Sequence, residues 1–254
     1  MTTETSVMEK TEEAAQETAK KVSRAETGYA KNVANFSELI IAVKSFGESY
    51  NPSAEILTVA GLESLRDRTN QIMIDLQTAD SAYRDAVNNR QSAFERMSYL
   101  TTRIKGAVIA AGIDQKIVEE INSISKKITG SRVVKEKDET GGKSVSQMSM
   151  DNRAFNFRQL VIRLSSVATY NPNETDLTLE ALNAYVDSLS TLTEGLQNSH
   201  TNLNKARMDR DQIMTGSNEA LAPVALRVKE YVKSVFSVKS PQYKTIKGLK
   251  FLNR

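Results

Sequence analysis

The 254-residue chain has no cysteine, which removes disulfides, thiol nucleophiles and thiolate metal sites from consideration. It has one histidine, His200. Its neighbours Ser199 and Asn202 form no relay, and no Glu-x-x-His pair of the di-iron bundle type occurs. Tryptophan is absent, and there are only 4 prolines and 11 glycines. So few turn formers and aromatics fit a helical protein better than a β-sandwich. No run approaches the ~18 consecutive apolar residues of a membrane-spanning helix. Residues 1–20 are polar, with five glutamates against two lysines, and lack the apolar stretch of a secretory signal. A cytoplasmic protein is the expectation.

Gly142-Lys143-Ser144 matches the tail of a P-loop. The first glycine of that motif falls on Lys137, however, and no buried strand leads into it, so a linker turn is the better reading. Neighbouring carboxylates such as Glu119-Glu120 read as solubilising charge on helix faces. No catalytic, cofactor or metal-ligating constellation stands out, and the chain is expected to be a non-enzyme without a cofactor.

What is present is a repeat. Tyr50-Asn51-Pro52 recurs as Tyr170-Asn171-Pro172, an offset of 120 residues. Held without gaps, that offset also aligns Leu57 with Leu177, Thr58 with Thr178, Leu62 with Leu182 and Asp67 with Asp187. Leu76-Gln77 then meets Leu196-Gln197, Ala86 meets Ala206, and Arg90 meets Arg210. These are 11 identities in the 41 positions from 50 to 90, where a helix-rich composition would give about three by chance. Upstream, Ile40-Ile41 aligns with Leu160-Val161. After a two-residue adjustment, residues 127–130 resemble residues 245–248.

The organisation expected is a flexible polar tail (1–28), a first helical repeat (29–130), a polar linker (131–151), a second repeat (152–251) and a short tail (252–254). Within the linker, Gly141-Gly142 among charged residues suggests an exposed hairpin between residues 132–134 and 144–146.

Each repeat begins with a helix, about 30–48 and 152–168, with Phe36, Leu39, Ile40 and Val43, or Phe157, Leu160, Val161 and Leu164, at helical spacing. At the following turn, Asn51 and Asn171 are expected to cap the next helix, with Pro52 and Pro172 at its first position. In the second copy Glu174 completes a capping-box spacing.

The helix that follows is long. Positions 62, 65, 69, 72, 76, 79, 83, 86, 90, 93, 97, 100 and 104 alternate three and four apart. The same positions shifted by 120 also carry mostly apolar residues, the seam of coiled-coil-like packing. About fifty residues of helix would extend ~75 Å. Breaks are expected at Gly216 and Pro223 in the second copy and at Gly106 or Gly112 in the first. Each repeat closes on a short capped helix. Asp114 caps one bearing Ile117, Ile121, Ile124 and Ile128, and Ser240-Pro241 starts another around Tyr243 and Ile246. The fold class expected is all-α, an elongated antiparallel bundle of two tandem helix–turn–long helix units.

Two features attract a functional reading. Arg90 and Arg210 both fall on the apolar seam. A buried arginine must be paired or must reach water along its stem, so these residues form either a polar layer that fixes helix register or an edge near solvent. The second feature is charge. The net charge is +3, yet residues 225–254 hold eight basic residues against Glu230 alone. Lys239, Lys244, Lys247 and Lys250 are candidate contacts for a polyanion, beside the plainer reading of a solvated surface.

The two Tyr-Asn-Pro turns, residues 197–210 and the ending Ser-Pro-Gln-Tyr-Lys-Thr-Ile-Lys-Gly-Leu (240–249) resemble a family of internally duplicated helical proteins from flavobacterium-like bacteria that has no established function. The resemblance covers most of the chain but implies no activity and carries no functional residue. A non-enzymatic structural or protein-interaction protein built on a pseudo-twofold bundle is the leading expectation, with a protein partner or self-association. One alternative is a membrane-active, pore-forming-like protein using the apolar residues 104–113, a stretch too short to span a bilayer alone. Another is nucleic-acid binding through the basic C-terminal region, although no recognition module is present.

Overall fold

The computed structural model describes residues 28–130 and 149–252. The expected N-terminal tail and the linker hairpin lie outside the described residues. Seven α-helices occur among them and no strand: α1 Tyr29–Ser45, α2 Val59–Ala110, α3 Gln115–Thr129, α4 Met150–Ser165, α5 Leu179–Thr215, α6 Leu221–Phe236 and α7 Pro241–Lys247. The all-α reading holds.

The chain divides into two compact units, and each draws on both halves of the sequence. Among the described residues, the first comprises 28–73 together with 209–252, and the second 74–130 together with 149–208. In the first unit α1 packs on α6 and α7, and α6 packs on α7. Its core joins Phe36, Leu39, Ile40, Val43, Leu57, Leu62 and Leu65 to Met214, Leu221, Val224, Val228, Val232 and Ile246. In the second unit α3 packs on α4. There Phe94, Met97, Leu100, Ile104, Val108, Ile121 and Ile128 meet Phe157, Leu160, Val161, Leu164, Leu177, Leu182 and Leu189. The opening helix of either half therefore buries its apolar face against the closing helices of the other half. A helix face specifies how much surface must be covered, not which neighbour covers it.

The seam of the long helices shows in their burial. Of the thirteen seam positions of α2, all are buried or half-buried, while most residues between them face solvent. Across α5 and its continuation the same holds except at Ser217, which is exposed. The break falls at Gly216: α5 ends at Thr215, and α6 resumes at Leu221. Pro223 stands in the first turn of α6, where its missing N–H has no carbonyl to serve. In the first half the helix runs through Gly106 and stops before Gly112, whose φ of +63° lies in the left-handed region that favours glycine.

The long helices start later than the Tyr-Asn-Pro turns imply. The first positions are Val59 and Leu179. Thr58 Oγ1 accepts a hydrogen bond from the Gly61 amide (3.1 Å) and Thr178 Oγ1 from the Ala181 amide (3.2 Å), so threonine takes the capping place assigned to Asn51 and Asn171. Short 3₁₀ turns, Glu55–Leu57 and Thr175–Leu177, separate the prolines from the helices. Pro52 and Pro172 thus precede these turns instead of opening a helix. The other two caps are as expected. Asp114 accepts from the Lys116 amide at 2.9 Å, and Ser240 accepts from the Tyr243 amide at 3.1 Å.

Helix α4 begins at Met150, with Ser149 as its cap, slightly before the expected start. Its burial also corrects the upstream register. Leu39 and Ile40 are buried like Leu160 and Val161, whereas Ile41 is 69% exposed. The opening helices thus correspond at an offset of 121. The 3₁₀ turn Gly47–Ser49 occurs only in the first half among the described residues and takes up the additional residue before Tyr50.

Gly61 supplies a direct test of the first turn. A Cβ there would lie 2.4 Å from the Glu55 carbonyl oxygen, although the aligned position in the second half is Ala181. Gly61→Ala is expected to lower stability by about 1–3 kcal/mol, because overpacking against backbone outweighs alanine's better helix propensity. Urea denaturation measures this, and an unchanged or higher midpoint would mean that the turn yields without cost.

Candidate functional site

The two Tyr-Asn-Pro turns share one hydrogen bond that locks them. Tyr50 Oη donates to the Leu57 carbonyl at 2.6 Å, and Tyr170 Oη to the Leu177 carbonyl at 2.9 Å. Each phenol ties the entrance of the turn to the end of its 3₁₀ segment. Asn51 is exposed; its backbone amide donates to Tyr231 Oη at 3.2 Å, and Tyr231 packs edge-on against Tyr50 with ring centroids 5.3 Å apart. Pro52 is buried and Pro172 half-buried, while Asn171 is exposed. The tyrosine of each motif thus clasps its turn.

Burial, and then the neighbouring Tyr231, raise the pKa of Tyr50. Burial followed by the charges of Glu174 and Asp176 pushes Tyr170 up to about 12. Burial also raises Tyr185 to about 12, against the pull of Arg96 and Arg153; its hydroxyl donates to the Ala93 carbonyl at 2.5 Å. A phenol whose folded pKa exceeds its unfolded value of about 10 stabilises the fold below that value and loses this contribution as pH rises through the folded pKa. Stability should therefore fall between pH 10 and about 12. Tyr170→Phe, which has no phenol to ionise, should show a shallower fall in urea midpoint over that window. An equally steep fall would place the alkaline loss elsewhere.

The seam arginines are both paired. In the second unit Arg90 Nη2 donates to Asp151 Oδ1 at 2.6 Å and Nε to Thr193 Oγ1 at 3.2 Å, while its guanidinium lies 5.3 Å from the Phe94 ring centroid. Asp151 sits in the first turn of α4, where a carboxylate also favours the helix dipole. In the first unit Arg210 donates through Nε and Nη2 to Asp211 Oδ1, at 2.9 and 2.7 Å, and covers the Tyr29 ring at 4.6 Å. Burial opposes ionisation of Asp211, but hydrogen bonds from Arg210 and Tyr29 prevail and hold its carboxyl below the usual carboxylate range. The two arginine side chains are 14% and 23% exposed. Each guanidinium therefore reaches the start of an opening helix from the long helix of the other half. Among the described residues neither lies against a metal-ligating cluster.

The remaining candidates are dispersed. His200 is exposed and packs against Tyr83 with centroids 5.6 Å apart. With the Arg90–Thr193 and Tyr185–Ala93 contacts, this pairing sets α2 antiparallel to α5 within the second unit. Lys239, Lys244, Lys247 and Lys250 are all exposed. Among the described residues no group of three or more His, Asp or Glu side chains could hold a metal ion, and no helix is long and apolar enough to cross a membrane. The apolar residues 104–113 place Ile104, Val108 and Ile113 in the second core.

Sequence reasoning missed the asparagines of α1. Asn32 and Asn35 are 1% and 5% exposed, and both bond to the main chain of residues 250–252 across a separation of more than 200 positions. On α4, Arg153 donates to the Ile128 and Phe94 carbonyls at 3.0 and 3.1 Å and to Ser98 at 3.1 Å. Polar residues on an apolar helix face were the available signal, and buried polar groups require partners.

No protein-family model, curated protein or solved structure matches the chain.

Proposed function

We propose that this chain is a non-enzymatic structural or interaction protein, a duplicated helical scaffold that works by presenting paired surfaces. The observation that carries the reading is a pair of exposed isoleucines. Ile41 on α1 and Ile162 on α4 are 69% and 55% exposed, and each directly follows a buried pair, Leu39-Ile40 or Leu160-Val161. Large apolar side chains scattered singly on a surface are ordinary. The same side chain at the same helical place in two related units suits a partner that grips twice, or self-association. The shared tyrosine bonds, threonine caps and seam arginines further support the duplication.

The test is assembly. Native mass spectrometry of the purified chain, and affinity capture from the cells that make it, should give a complex of fixed stoichiometry. Ile41→Glu with Ile162→Glu should abolish that complex while leaving the melting temperature within a few degrees, because both residues are solvent-facing. A complex indifferent to both substitutions would remove this surface from the account. A chain that forms no complex and turns over a substrate would overturn the reading.

A further inference from the structure

Residues 249–252 follow α7 without helical structure of their own and are held on the first unit by side chains that read main chain. Asn32 pairs with both backbone groups of Leu252: its Nδ2 donates to the carbonyl at 3.1 Å and its Oδ1 accepts from the amide at 2.9 Å. One turn along α1, Asn35 Nδ2 donates to the Lys250 carbonyl at 2.7 Å. From α6, Lys229 Nζ donates to the Lys247 carbonyl at 3.2 Å and to the Leu249 carbonyl, and it lies 5.6 Å from the Phe251 ring centroid. The groove between α1 and α6 is thus furnished to hold a peptide by its main chain. Main-chain hydrogen bonds supply the hold, and apolar side chains at 249, 251 and 252 supply the preference.

Two properties make the occupant exchangeable. Leu249, Phe251 and Leu252 are only half-buried, and a cavity of about 710 Å³ stays open beside them, between Lys31, Leu226 and Lys229. Leu249 and Phe251 pack against the first core but stay partly exposed, and elements so held open at lower cost than the fold as a whole. Once it leaves, however, Asn32 and Asn35 exchange their main-chain partners at 250 and 252 for water, so the groove stays complementary to a peptide main chain. The same segment of a second copy restores every bond, so exchange costs only the freedom lost on association. Gly248, at the end of α7, gives the chain a pivot.

We propose that the α1–α6 groove is a peptide-binding site that accepts residues 249–252 of a second copy, linking copies by segment exchange. This deepens the reading of the chain as an assembly protein and rests on it. A recipient chain ending at Gly248 and a donor chain carrying Asn32→Ala with Asn35→Ala separate the two roles. With Ile41→Glu and Ile162→Glu in both chains to silence the other surface, the mixture should form a 1:1 complex by size-exclusion chromatography with light scattering, and each chain alone should stay monomeric. A labelled peptide of residues 247–254 should bind the recipient saturably, at least tenfold more weakly when the recipient also carries Asn32→Ala.

A folded recipient that neither binds the peptide nor pairs with the donor overturns the proposal. If the recipient does not fold, the intact chain serves: excess unlabelled peptide should speed hydrogen exchange of its Leu252 amide, held by Asn32 Oδ1, several-fold, and an unchanged rate overturns it equally. Failure here with Ile41- and Ile162-dependent assembly intact would remove the groove and leave the scaffold reading standing.

Discussion

Residues 1–130 and 149–254, produced as separate chains, will each fail to melt cooperatively and will recover a cooperative transition when mixed in equal amounts. The composition of the cores compels this. In the first fragment, Phe36, Leu39, Ile40 and Val43 would lose Leu221, Val224, Val228 and Val232, all of which come from the second. The loss is reciprocal, since Phe94, Met97, Leu100 and Ile104 would lose Phe157, Leu160, Val161 and Leu164. Fully burying a large aliphatic or aromatic side chain contributes roughly 1.5–3 kcal/mol. Domains are stable by only about 5–15 kcal/mol in all, so exposing even four such residues consumes the margin. Circular dichroism melts of each fragment and of the mixture measure it. A first fragment that melts cooperatively alone, at a temperature near that of the whole chain, would show that the halves fold independently.

The second large effect is a pair of core truncations. Phe36→Ala and Phe157→Ala should each cost about 3–5 kcal/mol, the usual penalty for a lost aromatic and the cavity it leaves. Both rings are completely buried, and Phe157 also loses an edge-to-face contact with Tyr185 at 5.2 Å, a geometry that contributes beyond area alone. The control is two residues away. Phe155 is 61% exposed, so Phe155→Ala should change stability by less than about 0.5 kcal/mol. Hydrogen exchange should locate the losses, with Phe36→Ala raising rates in α1, α6 and α7 and Phe157→Ala in α3 and α4. Equal effects at 155 and 157 would mean that the face assigned to α4 is wrong.

Much of the local structure is legible in the sequence, because local structure depends on residues close together in the chain. The alternating three- and four-residue spacing marks the covered face of α2 and α5 nearly position by position. Asp114 and Ser240 announce their helices because a cap acts within three residues. Thr58 and Thr178 carry the same signal and are both repeat identities, but the Asn-Pro pairs upstream match a helix start more fully and so compete with them.

The partners of each face were not legible. The apolar stripe of α1 would suit α3 as well as α6, since both offer apolar residues at helical spacing. Only the assembled core decides between them. For the same reason Asn32 and Asn35 could not be matched to residues 250–252, and the one-residue slip between Ile41 and Val161 appears only once burial is known. The seam arginines stood out from their spacing alone. Their partners, Asp151 and the Asp211–Tyr29 pair, did not, because hydrogen bonding between distant segments leaves no period in a sequence.

The pairing of α1 with α6 is the point on which the rest depends, and the lack of cysteine makes it simple to probe. Phe46 and Phe236 have ring centroids 5.5 Å apart, so Phe46→Cys with Phe236→Cys introduces two thiols that should be joined within one chain by a short thiol cross-linker. Peptide mapping should find that link in nearly every molecule, and almost none for Phe46→Cys with Ile124→Cys, which would join α1's end to α3. The reverse pattern, a ready link to position 124 and none to 236, would show that each half closes on itself and would contradict the exchanged cores.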